Sequence, residues 1–270
     1  MQIVKQFLSS SKKLAILIDP DKTDINRLKE IVEIVEKAKS SDVFIFFGGS
    51  LMQNTEIDNY LQTIRKNTKS PIVLFPGAND YISAQADAFL LLSLISGRNP
   101  EWLISRHVQS ACRLKNTQLE IISTSYLLIA CGKPKTVHYI SNTQAIPSDK
   151  EEIAVATAMA GEMIGHQVCY LEAGSGADFP VPAKLIAAVK NAIQIPLLVG
   201  GGIRTSEQMH ETLSAGANVI VIGNAFEDNP SFLQESINLI KKFNKNNKSI
   251  NFSDSQGNKG VQPLFPFNFL

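Results

Sequence analysis

Short, strongly apolar runs recur along this chain, and each is followed by a stretch whose apolar positions fall at helical spacing. The first run, Leu14–Ile18 (LAILI), reads as a buried strand and delivers Asp19-Pro20-Asp21-Lys22 to its end. Behind it Ile25, Leu28, Ile31, Val32 and Val35 predict a helix that Thr23 or Asp24 caps. Val43–Phe47 (VFIFF) is a second strand ending in Gly48-Gly49-Ser50, and a helix through Tyr60 and Leu61 leads to a third at Ile72–Phe75, closed by Pro76-Gly77. Ala88–Leu92 is the fourth strand; the loop Ser93–Arg98 and a helix over Pro100–Leu114 follow. Leu119–Ala130 (LEIISTSYLLIA) is a longer β-rich run broken by polar residues, and its register is the hardest to set. The stretch after it reads as a loop, and Glu151–Ile164, rich in alanine and methionine, as a helix packed closely on the sheet. Three more short strands, Val168–Glu172, Pro196–Val199 and Val219–Ile222, precede a closing helix over Pro230–Phe243.

Strand and helix thus alternate about eight times, the pattern of a parallel sheet closed into a (β/α)8 TIM barrel. An open doubly wound sheet is the alternative, but no GxGxxG follows the first strand. A length of 270 residues suits one such barrel over residues 1–243 and leaves no room for a second folded domain. The tail 244–270 lacks periodicity and is polar until its phenylalanine-rich end, so it reads as loosely ordered.

Composition narrows the function. With 44% hydrophobic and 19% charged residues and a formal net charge of +1, the chain offers no field for gripping nucleic acid. Cys112, Cys131 and Cys169 are odd in number and lack a CxxC, which suggests neither disulfides nor zinc and favours a cytoplasmic setting. The polar start excludes a signal-peptide core, and no run approaches a membrane span, so membrane contact is at most peripheral.

The last three strands all end in small or glycine residues, AGSG, GGG and GN. Backbone stripped of Cβ atoms can approach a ligand closely, and free N–H groups at such turns make a phosphate site, commonly after the last two strands of a barrel. No lysine or arginine lies inside these loops, so the expectation is a cradle of backbone N–H groups alone. The bland reading is that they are merely tight turns. Strand ends of a barrel open on one face, which brings Asp19, Ser50, Glu172, Gly201, Gly202, Gly223 and Asn224 together. Asp19 and Ser50 offer hard oxygens, a suitable partial shell for Mg²⁺, although Asp19 could equally be a turn or N-cap acid. Glu172 beside the cradle could take a proton from a bound hydroxyl, its alternative being an ion pair across the mouth. Tyr170, two positions earlier on the same strand, faces the same way. The four histidines lie on predicted helices or in the uncertain loop and read as surface or packing residues.

LIDPDK at Leu17–Lys22, FFGGS at Phe46–Ser50, FPGAND at Phe75–Asp80, SGRNP at Ser96–Pro100, YLEAGSGA at Tyr170–Ala177, VGGGIRT at Val199–Thr205 and VIGNAFE at Val221–Glu227 together resemble the geranylgeranylglyceryl phosphate synthases. The resemblance runs in order to about Phe243, and the tail matches nothing. It implies a (β/α)8 prenyltransferase that joins a long prenyl diphosphate, geranylgeranyl diphosphate, to sn-glycerol 1-phosphate with Mg²⁺, as a homo-oligomer. Carried over, it implies that Asp19 and Ser50 hold Mg²⁺. Tyr170, Leu171, Glu172, Ala173, Gly174, Ser175 and Gly176 would hold the glycerol phosphate, and Gly201, Gly202, Gly223 and Asn224 its phosphate. The prenyl chain would then lie in an apolar groove lined by Phe75, Leu92 and Trp102. Leu17 stands where the smaller bacterial relatives carry a lysine, which places the chain in the second group of the family. The rival readings are another phosphate-site barrel enzyme (an isomerase, a lyase or a flavin enzyme) and a non-catalytic phosphate- or lipid-binding module.

Overall fold

The computed structural model describes residues 2–251 except 55, 78–80, 224, 227, 228 and 230, and for 248–251 it describes the backbone only. Among the described residues nine strands form, β1 (Lys13–Ile18), β2 (Val43–Phe47), β3 (Ile72–Leu74), β4 (Ala88–Ser93), β5 (Glu120–Ala130), β6 (Ile146–Pro147), β7 (Val168–Glu172), β8 (Leu197–Gly200) and β9 (Val219–Ile222). All pair in parallel in the order β4-β3-β2-β1-β9-β8-β7-β5, and β4 pairs with β5 to close the ring. The two-residue β6 only extends the far end of β5. Around this eight-stranded barrel lie α2 (Ile25–Ala38), α3 (Ile57–Asn67), α4 (Arg106–Lys115), α6 (Glu151–Ile164), α7 (Ala183–Ala192), α8 (Ser206–Ser214) and α9 (Ser231–Asn251). Two further short helices are α1 (Ile3–Phe7) and α5 (Thr136–Ser141).

Period-two alternation divides the strands between two cores. Phe44, Phe46, Val73, Leu90, Tyr126, Tyr170 and Leu198 point into the barrel. Ile45, Phe47, Leu127, Leu171 and Val199 point outward to the helices. Both faces of a barrel strand are covered, which is why runs such as VFIFF are apolar throughout. Helix α2 answers its apolar stripe by burying Leu28, Ile31, Val32 and Val35, and Asp24 caps it by accepting from the Asn26 and Arg27 N–H groups at 2.8 and 2.9 Å. On α6 the buried residues are Ala154, Ala158 and Gly161, and a Cβ on Gly161 would lie 1.9 Å from Ser125 Oγ, so small residues set how closely this helix approaches β5.

Several expectations change. The first residues form α1, whose Ile3 and Phe7 plug the barrel floor, with Phe7 packed edge-on against Phe44 at 5.1 Å. The predicted helix over Pro100–Leu114 opens as a π-helical turn, Glu101–Ser105, before α4. Part of the expected loop after β5 is α5 and β6. The closing helix does not stop at Phe243 but runs to Asn251, because Asn244 is buried and tied to the start of β1. Its amide accepts from Lys12 N–H at 2.7 Å and donates to the Lys12 carbonyl at 2.9 Å and to Asp42 Oδ2 at 3.0 Å. Residues 252–270 of the predicted tail lie outside the described residues. All three cysteines are free, and among the described residues no helix is long and apolar enough to cross a membrane.

Candidate active site

The carboxyl ends of the strands open on a cavity of ≈ 340 Å³, within the usual range for a small-molecule site. Asp19, Ser50, Tyr170, Glu172, Ser175, Gly176, Gly201, Gly202 and Gly223 all line it. Leu171, Ala173 and Gly174 do not, against the expectation for the whole 170–176 stretch. Strand alternation turns Leu171 and Ala173 into the helix layer, and the Ala173 and Gly174 N–H groups are already donated to the Gly200 carbonyl (3.0 Å) and Glu172 Oε1 (2.7 Å). Asn224 lies outside the described residues.

Backbone packing explains the glycine loops. Gly201 and Gly202 hold φ of +83° and +73°. A Cβ on Gly202 would stand 2.4 Å from the Phe179 carbonyl, and one on Gly201 would stand 2.7 Å from Glu172 Oε1. Any side chain there is both strained and obstructed, so only bare backbone can form this wall of the cavity. Gly200 obeys a different constraint. A Cβ on it would lie 2.2 Å from the Tyr170 hydroxyl oxygen.

That hydroxyl sits at the cavity's base. Tyr170 is fully buried, its ring stacked on Phe75 at 5.3 Å and tilted against Tyr126 at 5.2 Å. Its oxygen lies near the Glu172 carboxylate but not in well-aligned hydrogen-bond geometry. Glu172 is 6% exposed. Burial raises its carboxyl above the ordinary range, while the Gly174 N–H and the Tyr170 and Tyr126 hydroxyls partly offset this by favouring the ionised form. Burial and the Glu172 charge push both tyrosines well above the ordinary phenol range, so they remain protonated donors. Tyr126 was not anticipated. It is the parallel-register partner of Tyr170, a relation that only the β5–β7 pairing reveals.

The first two strand ends supply the hard oxygens. Asp19 Oδ1 accepts from the Asp21 N–H at 3.0 Å, and the backbone of Gly49 comes so close that a Cβ there would touch the Asp19 carboxylate at 3.0–3.1 Å. Asp21 is engaged otherwise, holding the loop after β2 through the Gln53 and Asn54 N–H groups at 2.8 and 2.7 Å. Among the described residues no group of three or more His, Cys, Asp or Glu could cage a metal. One carboxylate and one hydroxyl beside an open cavity fit Mg²⁺ instead, which takes few protein ligands and fills its shell with water and substrate phosphate.

Two cationic side chains also reach the cavity, contrary to the expectation of a purely backbone cradle. Arg204 lines it while donating to the Ala177 carbonyl at 2.7 Å. Lys22 spans the mouth, its Nζ 3.3 Å from Asp19 Oδ2 and 3.3 Å from Ser175 Oγ. No histidine is among the lining residues. His107 and His166 pair with Ser93 and Ser125 at 2.9 and 2.6 Å, and His138 accepts from the Lys135 N–H at the start of α5.

A narrow cleft continues from the main cavity. Phe75, Leu92 and Trp102, the expected apolar wall, line it with Leu94, Tyr126, Val137 and Ile140. At ≈ 40 Å³ it is far smaller than the ≈ 340 Å³ main cavity, so a long chain entering it must part these walls.

Comparison with known proteins agrees with this geometry. The profile of the PcrB family matches residues 8–244. The chain is 43% identical over 246 residues to the geranylgeranylglyceryl phosphate synthase of Spirosoma linguale, covering 91% of this chain and 98% of that one. It is 38% identical over 230 residues to the synthase of Pyrococcus abyssi, covering 84% and 90%. Its fold is similar to the crystal structure of (S)-3-O-geranylgeranylglyceryl phosphate synthase from Thermoplasma acidophilum in complex with its substrate sn-glycerol-1-phosphate. The TM-score is 0.83 at 30% identity, covering 91% of this chain and 99% of that one.

Proposed function

The chain belongs to the PcrB family, and from that premise and the geometry of its barrel mouth we propose that it is a prenyltransferase acting on sn-glycerol 1-phosphate. The donor is geranylgeranyl diphosphate, and the products are the ether geranylgeranylglyceryl phosphate and free diphosphate. The observation that carries this reading is the pairing, beside the glycine cradle, of a buried carboxylate with a buried hydroxyl that has no well-aligned hydrogen-bond partner.

With phosphate against the Gly176 and Gly201–Gly202 backbone, the glycerol's far hydroxyl reaches down to Glu172 and Tyr170. Tyr170 donates to the acceptor oxygen and fixes its direction, and Glu172 takes its proton. The oxygen's electron pair forms the new bond to the allylic carbon as the bond from that carbon to diphosphate breaks, so the proton ends on Glu172 and the electron pair on diphosphate. Asp19 and Ser50 would hold Mg²⁺, which supplies charge neutralisation for the departing diphosphate. Leu92, Leu94 and Trp102 exclude water from the allylic carbon and receive the chain. The exposed apolar side chains Ile104, Val108, Met163 and Ile164 support a homo-oligomer that covers them.

The test is transfer of radiolabel from geranylgeranyl diphosphate to sn-glycerol 1-phosphate. Label is expected in a lipid-soluble phosphate ester, with the sn-3 enantiomer much poorer. Binding of glycerol phosphate without transfer, or an equal response to both enantiomers, would overturn the assignment.

A further inference from the structure

We infer that Lys22 is a cationic latch that couples the cation site to the phosphate cradle, an inference that rests on the reading of Asp19 as a cation ligand given above. The ammonium lies 3.3 Å from Asp19 Oδ2 on the β1 side of the mouth and 3.3 Å from Ser175 Oγ on the β7 side. It therefore spans the two places where the negative charge of the substrates must settle. Its root is fixed, because the Lys22 and Thr23 N–H groups both donate to the Asp19 carbonyl, at 3.1 and 2.9 Å. Its side chain is 41% exposed.

In this arrangement the ammonium occupies part of the space a divalent cation needs beside Asp19. Two positive charges cannot share one carboxylate oxygen without strong repulsion. A cation entering at Asp19 therefore drives Lys22 off Oδ2, and the acceptors within reach are Ser175 Oγ and a phosphate seated over Gly176, Gly201 and Gly202. Conversely, phosphate in the cradle draws Lys22 away and opens Asp19 to the cation. Linkage makes these one effect: each ligand raises the affinity for the other by the same factor. Arg204 is anchored elsewhere, its guanidinium donating to the Ala177 and Asp178 carbonyls at 2.7 and 3.4 Å.

Calorimetric titrations of Mn²⁺ and of sn-glycerol 1-phosphate, each with and without the other and with no prenyl donor present, test this without turnover. In the wild type each should tighten the other several-fold. Lys22→Met should bind Mn²⁺ alone about two- to five-fold more tightly, the scale of an exposed ion pair. It should bind glycerol phosphate roughly tenfold more weakly, as expected for loss of one charge-assisted hydrogen bond. The coupling factor should fall toward one, and Lys22→Arg should restore much of it. Unchanged coupling in Lys22→Met, or weaker Mn²⁺ binding, would overturn the latch. Asp19→Asn separates the two levels: it should abolish Mn²⁺ binding. If it does while Lys22→Met changes nothing, only the latch fails; if Mn²⁺ binds Asp19→Asn normally, the cation site itself is wrong and the latch falls with it.

Discussion

Substituting Gly200 by alanine puts a direct load on the Tyr170 hydroxyl. Gly200 is not in the left-handed region, so its backbone tolerates alanine, and the new methyl acts only through contact. It would stand 2.2 Å from the Tyr170 oxygen and 3.1 Å from the ring carbon bearing it. The tyrosine cannot retreat, because it is fully buried with Phe75 stacked on one side and Tyr126 tilted against it. Overpacking of this kind costs about 1–3 kcal/mol, which in a domain of this size lowers the melting temperature by roughly 2–12 °C. Tyr170→Phe removes the offending oxygen and leaves a 3.1 Å approach that a shift of a few tenths of an ångström relieves. Alone it should leave stability within about 1 kcal/mol of wild type, since the hydroxyl it deletes makes no well-aligned hydrogen bond. In the Tyr170→Phe background Gly200→Ala should then cost far less, giving a coupling of about 1–2 kcal/mol, within the range for touching residues. Urea denaturation and thermal melts of the four proteins measure this. Strict additivity would show that the hydroxyl does not lie against Gly200, and its place beside Glu172 and the acceptor oxygen would be lost with it.

Glu172→Gln should lower turnover by about 10²–10⁴-fold with glycerol phosphate affinity nearly unchanged, and near-normal turnover would move the proton to another acceptor. Because burial raises the Glu172 carboxyl, folding favours its protonated form; the wild type should lose stability relative to Glu172→Gln as pH rises from the ordinary carboxylate range through the raised value, and a gap between their melting points that stays constant from pH 4 to pH 8 would refute the burial argument. Asp19→Asn should depress turnover far more than glycerol phosphate affinity, and full wild-type activity in the presence of a strong chelator would exclude a cation at that site. Filling the cleft with Leu92→Trp should shift preference toward shorter prenyl donors, each lost CH₂ contact being worth about 0.8 kcal/mol, and an unchanged chain-length profile would place the chain elsewhere.

How far the sequence could be read depended on whether a feature is set by one strand or by the closure of the ring. Strands buried on both faces announce themselves as apolar runs, and residues two apart on one strand share a face, so Tyr170 and Glu172 were legible as a pair before any fold was known. The same rule sends Leu171 and Ala173 the other way, into the helix layer. Tyr126 was hidden because β5 spans eleven residues, and only its register with β7, fixed by tertiary pairing, sets Tyr126 beside Tyr170. Helix α1 is five residues long, too short to show a period, and makes sense only once Phe7 meets Phe44 across the floor. Asn244 looked like the start of a polar tail because its burial comes from bonds to Lys12 and Asp42 rather than from apolarity. Lys22 is the clearest case. It was visible in the DPDK motif, yet its relation to Ser175 crosses 153 positions and exists only because β1 and β7 open on one mouth. The glycine turns themselves carry no cation, and Lys22 reaches the Ser175 loop from a strand end on the other side of the ring, where closure alone brings it.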